Sequence, residues 1–422
     1  MSVSVIHAAR NWQRALRQIP DFNYGVVKII SNQRLRWIFY RIRRKSGDSS
    51  LLLFVIFCYS LSSGSVVYIS HASAIRFFHL LCGVALLFGW LPIRTQNHKG
   101  ASVRFFLVLL LPLLCLFSAS AEDPAKFSLS DGDRVAFVGN TFTERDQHTG
   151  YFETLLTARY FDRNIIFRNL GWSGDTVWGT ARASFGSPQD GFNSLAKALN
   201  EFKPTWVMVT YGMSESFEGE SGLADYLKQL DVMLNMLAGA GRKIVMISPI
   251  KHENLAAPLP DPAEHNKNLR LYIDAMKKVA GARGYIFVDL YELLGEGDGK
   301  THFTDNGIHL TPYGYWRAAL ALEKGLGLAP TKLDLDPTKT EASAGRDKAE
   351  QLRAAIQQKN EFFFNRWRPQ NETYIYGFRK KEQGKNAAFI PQFDPMVVAK
   401  EAEIATLRGA VAQASELKPE GK

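Results

Sequence analysis

Three apolar stretches lie within the first 121 residues, and they divide the chain into two parts that fold in different surroundings. The stretches cover residues 51–70, 77–93 and 105–121, and each is close to the length that crosses the hydrocarbon core of a bilayer, about 30 Å. The first 121 residues carry 14 Lys and Arg but only 2 Asp and Glu, whereas the rest of the chain carries 37 basic and 39 acidic residues. The excess positive charge therefore belongs to the N-terminal part.

Charge and cysteine usage exclude several classes of function for the main body, residues 122–422. Its nearly balanced charge argues against a basic groove for nucleic acid. All three cysteines, Cys58, Cys82 and Cys115, lie in the apolar stretches, so the main body has neither a disulfide framework nor a cysteine zinc site. No cluster of His, Glu and Asp has metal-ligand spacing. We expect no metal, no organic cofactor and no nucleic-acid partner.

The N-terminal part has two interpretations, and both export the main body. In the first, the apolar stretches remain as a membrane anchor, and the basic run at residues 41–45 keeps the N-terminus in the cytoplasm. In the second, residues 103–121 form a secretory signal peptide, because a basic start and an apolar run precede the small residues at 119–121. A signal normally begins near the start of a chain, so the second interpretation makes residues 1–102 an over-long gene model with Val103 as an alternative start.

The main body predicts a parallel α/β fold. From residue 131 onward, short β-branched or aromatic runs alternate with longer amphipathic segments, which is typical of βαβ units. The predicted strands are 134–138, 164–168, 206–211, 243–248 and 285–289, and the predicted helices are 151–160, 191–201, 223–238, 263–280 and 311–324. Five strands with interleaved helices predict a three-layer α/β/α sandwich around a parallel five-stranded sheet. Ligands in such folds bind beyond the carboxyl ends of the strands.

The composition changes again after the last predicted helix of the sandwich. Residues 331–345 are rich in Asp, Thr, Lys, Ser and Ala, and predict a linker. Helical patterns follow at 346–364 and 396–407, with the aromatic and basic block Phe-Phe-Phe-Asn-Arg-Trp-Arg-Pro at 362–369. Aromatic side chains at this density need burial or a partner. The block therefore either packs across the sandwich or contributes to a substrate cleft.

We accordingly expect four regions along the chain. They are a basic N-terminal segment at 1–50, hydrophobic segments at 51–121 of which the last, about 103–121, is a signal peptide or membrane anchor, an α/β domain at 122–330, and a linker with a helical C-terminal extension at 331–422. The α/β domain is expected outside the cytoplasm, exported to the periplasm or tethered to the membrane through residues 51–121.

Four short segments follow the predicted strands in a fixed order. They are Val-Gly-Asn-Thr-Phe-Thr at 138–143, Asn-Leu-Gly-Trp-Ser-Gly-Asp-Thr at 169–176, Tyr-Gly-Met-Ser-Glu at 211–215 and Asp-Asn-Gly-Ile-His-Leu-Thr-Pro at 305–312. Together they resemble the four blocks of the SGNH hydrolases, the GDSL-like esterases and lipases, over about residues 132–326. The resemblance implies a flavodoxin-like SGNH fold and the hydrolysis of acyl esters, with small molecules and glycans as the expected classes of ester substrate.

The resemblance also implies the catalytic residues. The nucleophile position falls on Thr141, where the family usually has serine, and the general base falls on His309. Three residues before the histidine the sequence has Asn306 in place of the family's aspartate, while Asp305 lies one residue out of register. In a working site we expect Asp305 or a backbone carbonyl to orient the imidazole. Read without the resemblance, Thr141 and Glu144 also fit a helix capping box.

The remaining site residues complete the expected cleft. By resemblance the oxyanion donors are the amide of Gly174 and the hydroxyl of Ser214, the latter standing where the family has asparagine. His252 and Glu253 follow the fourth strand and are expected, on weaker grounds, to line the substrate cleft. Glu215 follows the third strand and is expected to be a solvated loop charge.

Each substitution in the catalytic blocks weakens the expected chemistry. An asparagine cannot stabilise an imidazolium, and the equivalent exchange in a serine protease costs about 10⁴ in turnover. Loss of one oxyanion donor costs roughly 10²–10³. The sequence therefore predicts either an ester hydrolase whose activity is weak, or a non-catalytic module that binds a glycan or an acylated ligand in the same cleft.

Overall fold

A computed structural model describes residues 22–31, 35–44, 53–60, 66–68, 126–297 and 299–420. The chain divides into two compact units, Met1–Phe117 and Ser118–Lys422.

The described part of the first unit is a four-stranded antiparallel sheet with the strands in chain order. Its strands are β1 Phe22–Ser31, β2 Leu35–Arg44, β3 Leu53–Ser60 and β4 Val66–Tyr68. Strands β3 and β4 lie within the first apolar stretch, 51–70, where the sequence predicts a membrane segment. The other two stretches and the predicted signal peptide lie outside the described residues. Among the described residues, none of the helices combines the length and the hydropathy that crossing a bilayer requires.

The second unit contains the predicted parallel sheet, and the fold class is confirmed. Its strands are β5 Arg134–Gly139, β6 Ile166–Gly171, β7 Trp206–Thr210, β8 Lys243–Ile247 and β9 Ile286–Val288. They are ordered β6-β5-β7-β8-β9, and every pair is parallel. Strands β5, β7 and β8 are almost continuously apolar and buried, because helices cover both faces of the sheet.

Among the described residues, the sandwich of the second unit contains seven α-helices. They are α1 Thr141–Thr149, α2 Tyr151–Arg159, α3 Pro188–Phe202, α4 Gly219–Leu237, α5 Ala263–Arg283, α6 Leu290–Leu294 and α7 Pro312–Gly325. The sequence predicts five of them and misses α1 and α6. Helix α1 has no apolar stripe, and its buried residues, Thr143, Asp146, Gln147 and Thr149, are all polar. Periodicity therefore does not reveal it.

Side chains alternate along each strand between two apolar cores, one on each face of the sheet. On β5, Val135 and Phe137 point into the core that contains helices α2 and α7, whereas Ala136 and Val138 point into the core that contains α3, α4 and α5. This alternation fixes the sheet between the two helical layers, so the ends of the strands are the open edges at which polar side chains can gather.

The C-terminal extension covers the face of the sandwich that carries α1 and α2. Its helices are α8 Ala344–Trp367, α9 Glu372–Ile375, α10 Lys380–Gln383 and α11 Phe393–Ala414. Residues 331–343 have neither helix nor strand, as expected for a linker, but Leu333 and Leu335 are buried in the core of the sandwich. This segment is therefore packed on the domain, and the extension is built into the same core.

A buried ion pair joins the extension to the sandwich. Lys359 of α8 is fully buried, and its Nζ donates to Glu153 Oε2 at 2.7 Å and to the carbonyl oxygen of Phe167 at 3.2 Å. Burial raises the pKa of Glu153, whereas the charge of Lys359 opposes this rise. The carboxylate of α2 thus depends on a counterion that lies 206 positions further along the chain.

Replacing Lys359 with alanine is expected to destabilise the domain by about 3–5 kcal/mol, because it leaves a buried carboxylate without its partner. The free energy of unfolding in urea measures this loss at pH 7. The loss should shrink as the pH falls through the raised pKa of Glu153, since the protonated carboxyl needs no counterion. Lys348→Ala on the same helix is the control, because the Lys348 amine bonds only the exposed Gln351. Equal losses in both variants would contradict the role of the pair.

Candidate active site

Residues from three of the four resembling segments meet at the carboxyl end of the sheet. A small cavity of ≈ 50 Å³ lies there, and Thr141, Ser214 and His309 all line it. Phe142 and Ile250 give the cavity an apolar wall. The parallel sheet brings most of these residues together, because the segments that follow β5, β7 and β8 all leave the same edge. His309 comes from the loop between α6 and α7.

Thr141 is the first residue of α1, and its hydroxyl faces the loop that follows β6. Asn140 is the N-cap of the helix, since its Oδ1 accepts a hydrogen bond from the amide of Phe142 at 3.1 Å. The capping-box interpretation of Thr141 therefore does not describe the structure. The Thr141 Oγ1 instead accepts a hydrogen bond from the amide of Gly174 at 3.1 Å. Its position at a helix N-terminus also favours negative charge nearby.

The loop that carries Gly174 has a backbone conformation that favours glycine. Gly174 has φ +74°, in the left-handed region. The next residue, Asp175, is fully buried, and its Oδ2 accepts hydrogen bonds from Arg182 Nε at 2.6 Å and from the Tyr211 hydroxyl at 2.8 Å. Arg182 also donates to the carbonyl oxygen of Leu170 at 2.7 Å. These buried bonds hold the Gly174 amide in place.

Glu215 is a buried brace between two loops of the site, so the expectation of a solvated loop charge was wrong. Its Oε1 accepts from the amide of Val177 at 2.9 Å, and its Oε2 accepts from the amide of Gly212 at 2.8 Å. Burial raises the pKa of its carboxyl group.

Sequence reasoning also missed Arg182, which follows no strand and has no motif around it. The nearby Ser214 lies exposed at the rim of the cavity.

Asn306 determines which nitrogen of His309 carries the proton. The Asn306 Oδ1 accepts hydrogen bonds from the amides of Ile308 at 3.2 Å and His309 at 2.9 Å. The amide orientation follows from these two bonds. Its Nδ2 therefore donates to His309 Nδ1 at 3.0 Å. A neutral imidazole in this arrangement carries its proton on Nε2, and that nitrogen cannot accept a proton from the Thr141 hydroxyl.

Asp305 faces away from the imidazole. Its carboxylate forms an ion pair with Arg145 at 3.0 Å, and its amide donates to the carbonyl oxygen of His309 at 2.9 Å. Burial lowers the pKa of His309, the charge of Arg145 lowers it further, and Asp305 opposes the change. The structure thus gives the ring a neutral orienting group. In the described part of the chain no hydrogen bond joins Thr141 and His309.

His252 and Glu253 lie in a neighbouring cleft of ≈ 870 Å³. Glu253 accepts hydrogen bonds from the amides of Phe303 at 3.2 Å and Thr304 at 2.7 Å, and so braces the loop that leads to His309. The Nδ1 of His252 lies 2.9 Å from the Nδ1 of His265. Neither His252 nor Glu253 lines the small cavity that contains Thr141. Among the described residues no group of three or more His, Cys, Asp and Glu side chains could hold a metal ion.

Comparison with known proteins finds one family model that matches the α/β domain. Residues 128–317 match the model of the GDSL-like Lipase/Acylhydrolase family, which confirms the resemblance seen in the four segments. The match lies within the α/β domain and covers less than half of the chain. No curated protein matches the chain.

Several solved structures are similar to the chain at low identity. A gut microbial diltiazem-metabolizing enzyme is 14% identical with a TM-score of 0.48, over 69% of this chain and 97% of that one. An acetylxylan esterase from Geobacillus stearothermophilus is 18% identical with a TM-score of 0.38, over 48% and 98%. A putative GDSL-like lipase from Parabacteroides merdae is 15% identical with a TM-score of 0.39, over 49% and 100%.

The tautomer of His309 can be measured directly. We expect ¹⁵N NMR of the protein to show a neutral His309 with its proton on Nε2 at pH 7. In Asn306→Asp the proton should move to Nδ1 and the pKa of His309 should rise, because a carboxylate accepts the Nδ1 proton and stabilises the imidazolium. Asp305→Asn is the control: it should leave the tautomer unchanged and lower the pKa. A wild-type signal with the proton on Nδ1 would contradict the assignment.

Proposed function

We propose that the domain is a hydrolase of short acyl esters whose activity is limited by the tautomer of His309. The observation that carries the proposal is the contact between the Gly174 amide and the Thr141 hydroxyl at 3.1 Å. It brings a nucleophile and an oxyanion donor together, with His309 on the wall of the same cavity. The small cavity supports a short acyl group, attached to a small molecule or to a carbohydrate.

The proposed reaction uses the side chains in the roles that the family assigns. The Thr141 hydroxyl attacks the ester carbonyl while His309 Nε2 takes its proton. The amides of Gly174 and Thr141, with the Ser214 hydroxyl at the rim, stabilise the negative oxygen of the tetrahedral intermediate. His309 then returns the proton to the leaving alcohol. A water molecule repeats these steps on the acyl-threonine, releasing the carboxylic acid and regenerating Thr141.

The orientation of Asn306 sets the barrier to this reaction. His309 can accept a proton at Nε2 only after its own proton has moved to Nδ1. The Asn306 amide must then turn its oxygen toward the ring, which breaks the hydrogen bonds from the Ile308 and His309 amides. The loss of these bonds supports weak turnover. The same orientation favours the second candidate function, a module that binds an acyl ester in the cavity without hydrolysing it.

We expect Asn306→Asp to raise the hydrolysis of 4-nitrophenyl acetate by the full chain roughly 10²–10⁴-fold. The aspartate supplies the missing partner for the Nδ1 proton, and Thr141→Ser with Ser214→Asn in the same protein should raise the rate further. Thr141→Ala in the Asn306→Asp background should abolish the gain, whereas the control His148→Ala, an exposed histidine at the far end of α1, should preserve it.

The outcomes separate the two candidate functions. A gain that depends on Thr141 supports the hydrolase. Ordinary esterase rates in the wild type would mean that Asn306 does not limit the reaction. The absence of hydrolysis in every variant, with binding of an acyl ester retained, would overturn the hydrolase in favour of the binding module.

We also propose that the domain acts outside the cytoplasm. Support comes from the sequence of residues 103–121 and from the absence of cysteine between residues 122 and 422. Residues 1–121 fused to a reporter enzyme that folds only after export should give an active reporter. A fusion in which the apolar run at 105–117 carries two added aspartates should be inactive. Equal reporter activity in both fusions would contradict the proposal.

A further inference from the structure

The C-terminal end of α8 lies against the loop that carries Gly174. Arg368 is the C-cap of this helix. Its guanidinium lies 3.7 Å from the centre of the Trp172 ring, and its Nη1 donates to Glu144 Oε2. Trp367 meets the same indole edge-on, with the ring centres 5.8 Å apart. The extension therefore contacts Trp172, which lies two positions before the proposed oxyanion donor Gly174, and Glu144 of α1.

Glu144 transmits this contact to the loop. Its Oε2 accepts a hydrogen bond from the Ser173 amide at 2.8 Å, and its Oε1 accepts one from the Ser173 hydroxyl at 2.7 Å. Gly174 is the next residue, and its amide donates to the Thr141 hydroxyl. The carboxylate of Glu144 lies one helical turn after Thr141 on α1. A continuous set of bonds thus runs from the C-terminal helix to the proposed nucleophile.

The charge of Glu144 gives Arg368 a second effect on the site. The Glu144 side chain is only 15% exposed, so water screens its negative charge weakly. That charge lies beside the residue next to Gly174, where the reaction would create a negative oxygen. An uncompensated carboxylate there opposes the formation of the oxyanion. The guanidinium of Arg368 pairs with this carboxylate and compensates its charge.

We infer that Arg368 is a positioning residue of the active site: through Glu144 it fixes the Ser173–Gly174 loop and neutralises the carboxylate beside the oxyanion. The C-terminal extension is thereby part of the functional site. The kinetic consequence rests on the proposed hydrolase function, whereas the order of the loop can be measured without turnover.

Hydrogen exchange of the full chain tests the positioning. In Arg368→Ala the amides of residues 172–177 should exchange at least about tenfold faster than in the wild type, because the loop opens more often. Arg368→Lys, which keeps the charge, should fall between the two. Arg366→Ala is the matched control: Arg366 lies two positions earlier on the same helix and pairs with Asp394 at the surface, so this variant should exchange at the wild-type rate.

Two exchange results would overturn the inference. One is a wild-type rate at residues 172–177 in Arg368→Ala. The other is an equal acceleration in the control, which would show that any change at this end of α8 loosens the loop. If Arg368→Ala does not fold, Glu144→Gln and Arg368→Lys carry the measurement, because both keep the size of the side chain and weaken the bond to be tested.

Kinetics in the Asn306→Asp background test the electrostatic part. Arg368→Ala should lower kcat about tenfold to 10²-fold with little change in KM, because the loop and the charge act on the transition state. Adding Glu144→Gln to Arg368→Ala should restore part of kcat, since it removes the uncompensated carboxylate although the loop stays loosened. A double variant no faster than Arg368→Ala would overturn the electrostatic role. Absence of hydrolysis in the whole series would refute the proposed function and leave the exchange result to decide the positioning role.

Discussion

The hydrogen bond from the Gly174 amide to the Thr141 hydroxyl is the contact on which the candidate site depends. It joins the first residue of α1, which follows β5, to the loop that follows the neighbouring strand β6. The Gly174 loop is fixed from beneath by Asp175 and Arg182, which are both buried. Its other side is fixed by Glu144. The site is therefore preorganised by buried charged side chains. Each of them has a partner of opposite charge, and the hydrogen bonds between such partners are strong.

On the histidine side of the site, the hydrogen bonds that order the loop also hold the imidazole in a tautomer that does not suit catalysis. Asn306 satisfies two backbone amides and the imidazole at once, so the loop before α7 is well ordered. The same hydrogen bonds leave the imidazole in the tautomer that does not suit a general base at Nε2. An aspartate at this position would accept all three hydrogens. One atom, a nitrogen in place of an oxygen, thus changes the tautomer of the imidazole.

The sheet could be predicted from sequence because its strands are short apolar runs, and the resemblance placed Thr141 and Gly174 after strands and His309 before the last helix of the sandwich. Helix α1 could not, since its buried side chains are polar, and one of them, Thr143, bonds to Thr210, 67 positions away. The ion pair of Asp305 could not be predicted either, because the sequence does not show that Arg145 lies nearby. Arg368 and Glu144 are separated by 224 positions, and no local pattern links an arginine after an aromatic run to the first turn of a helix.

The ion pair between Lys359 and Glu153 also has a consequence for the order of events during synthesis. The ribosome must add 206 residues after Glu153 before Lys359 exists, which takes about 10–40 s at about 5–20 residues per second. Through that interval the face formed by α1 and α2 has neither its counterion nor its apolar cover. The parallel sheet can assemble earlier, but the finished core cannot. The core of the nascent domain therefore stays incomplete until the last fifth of the chain has been synthesised.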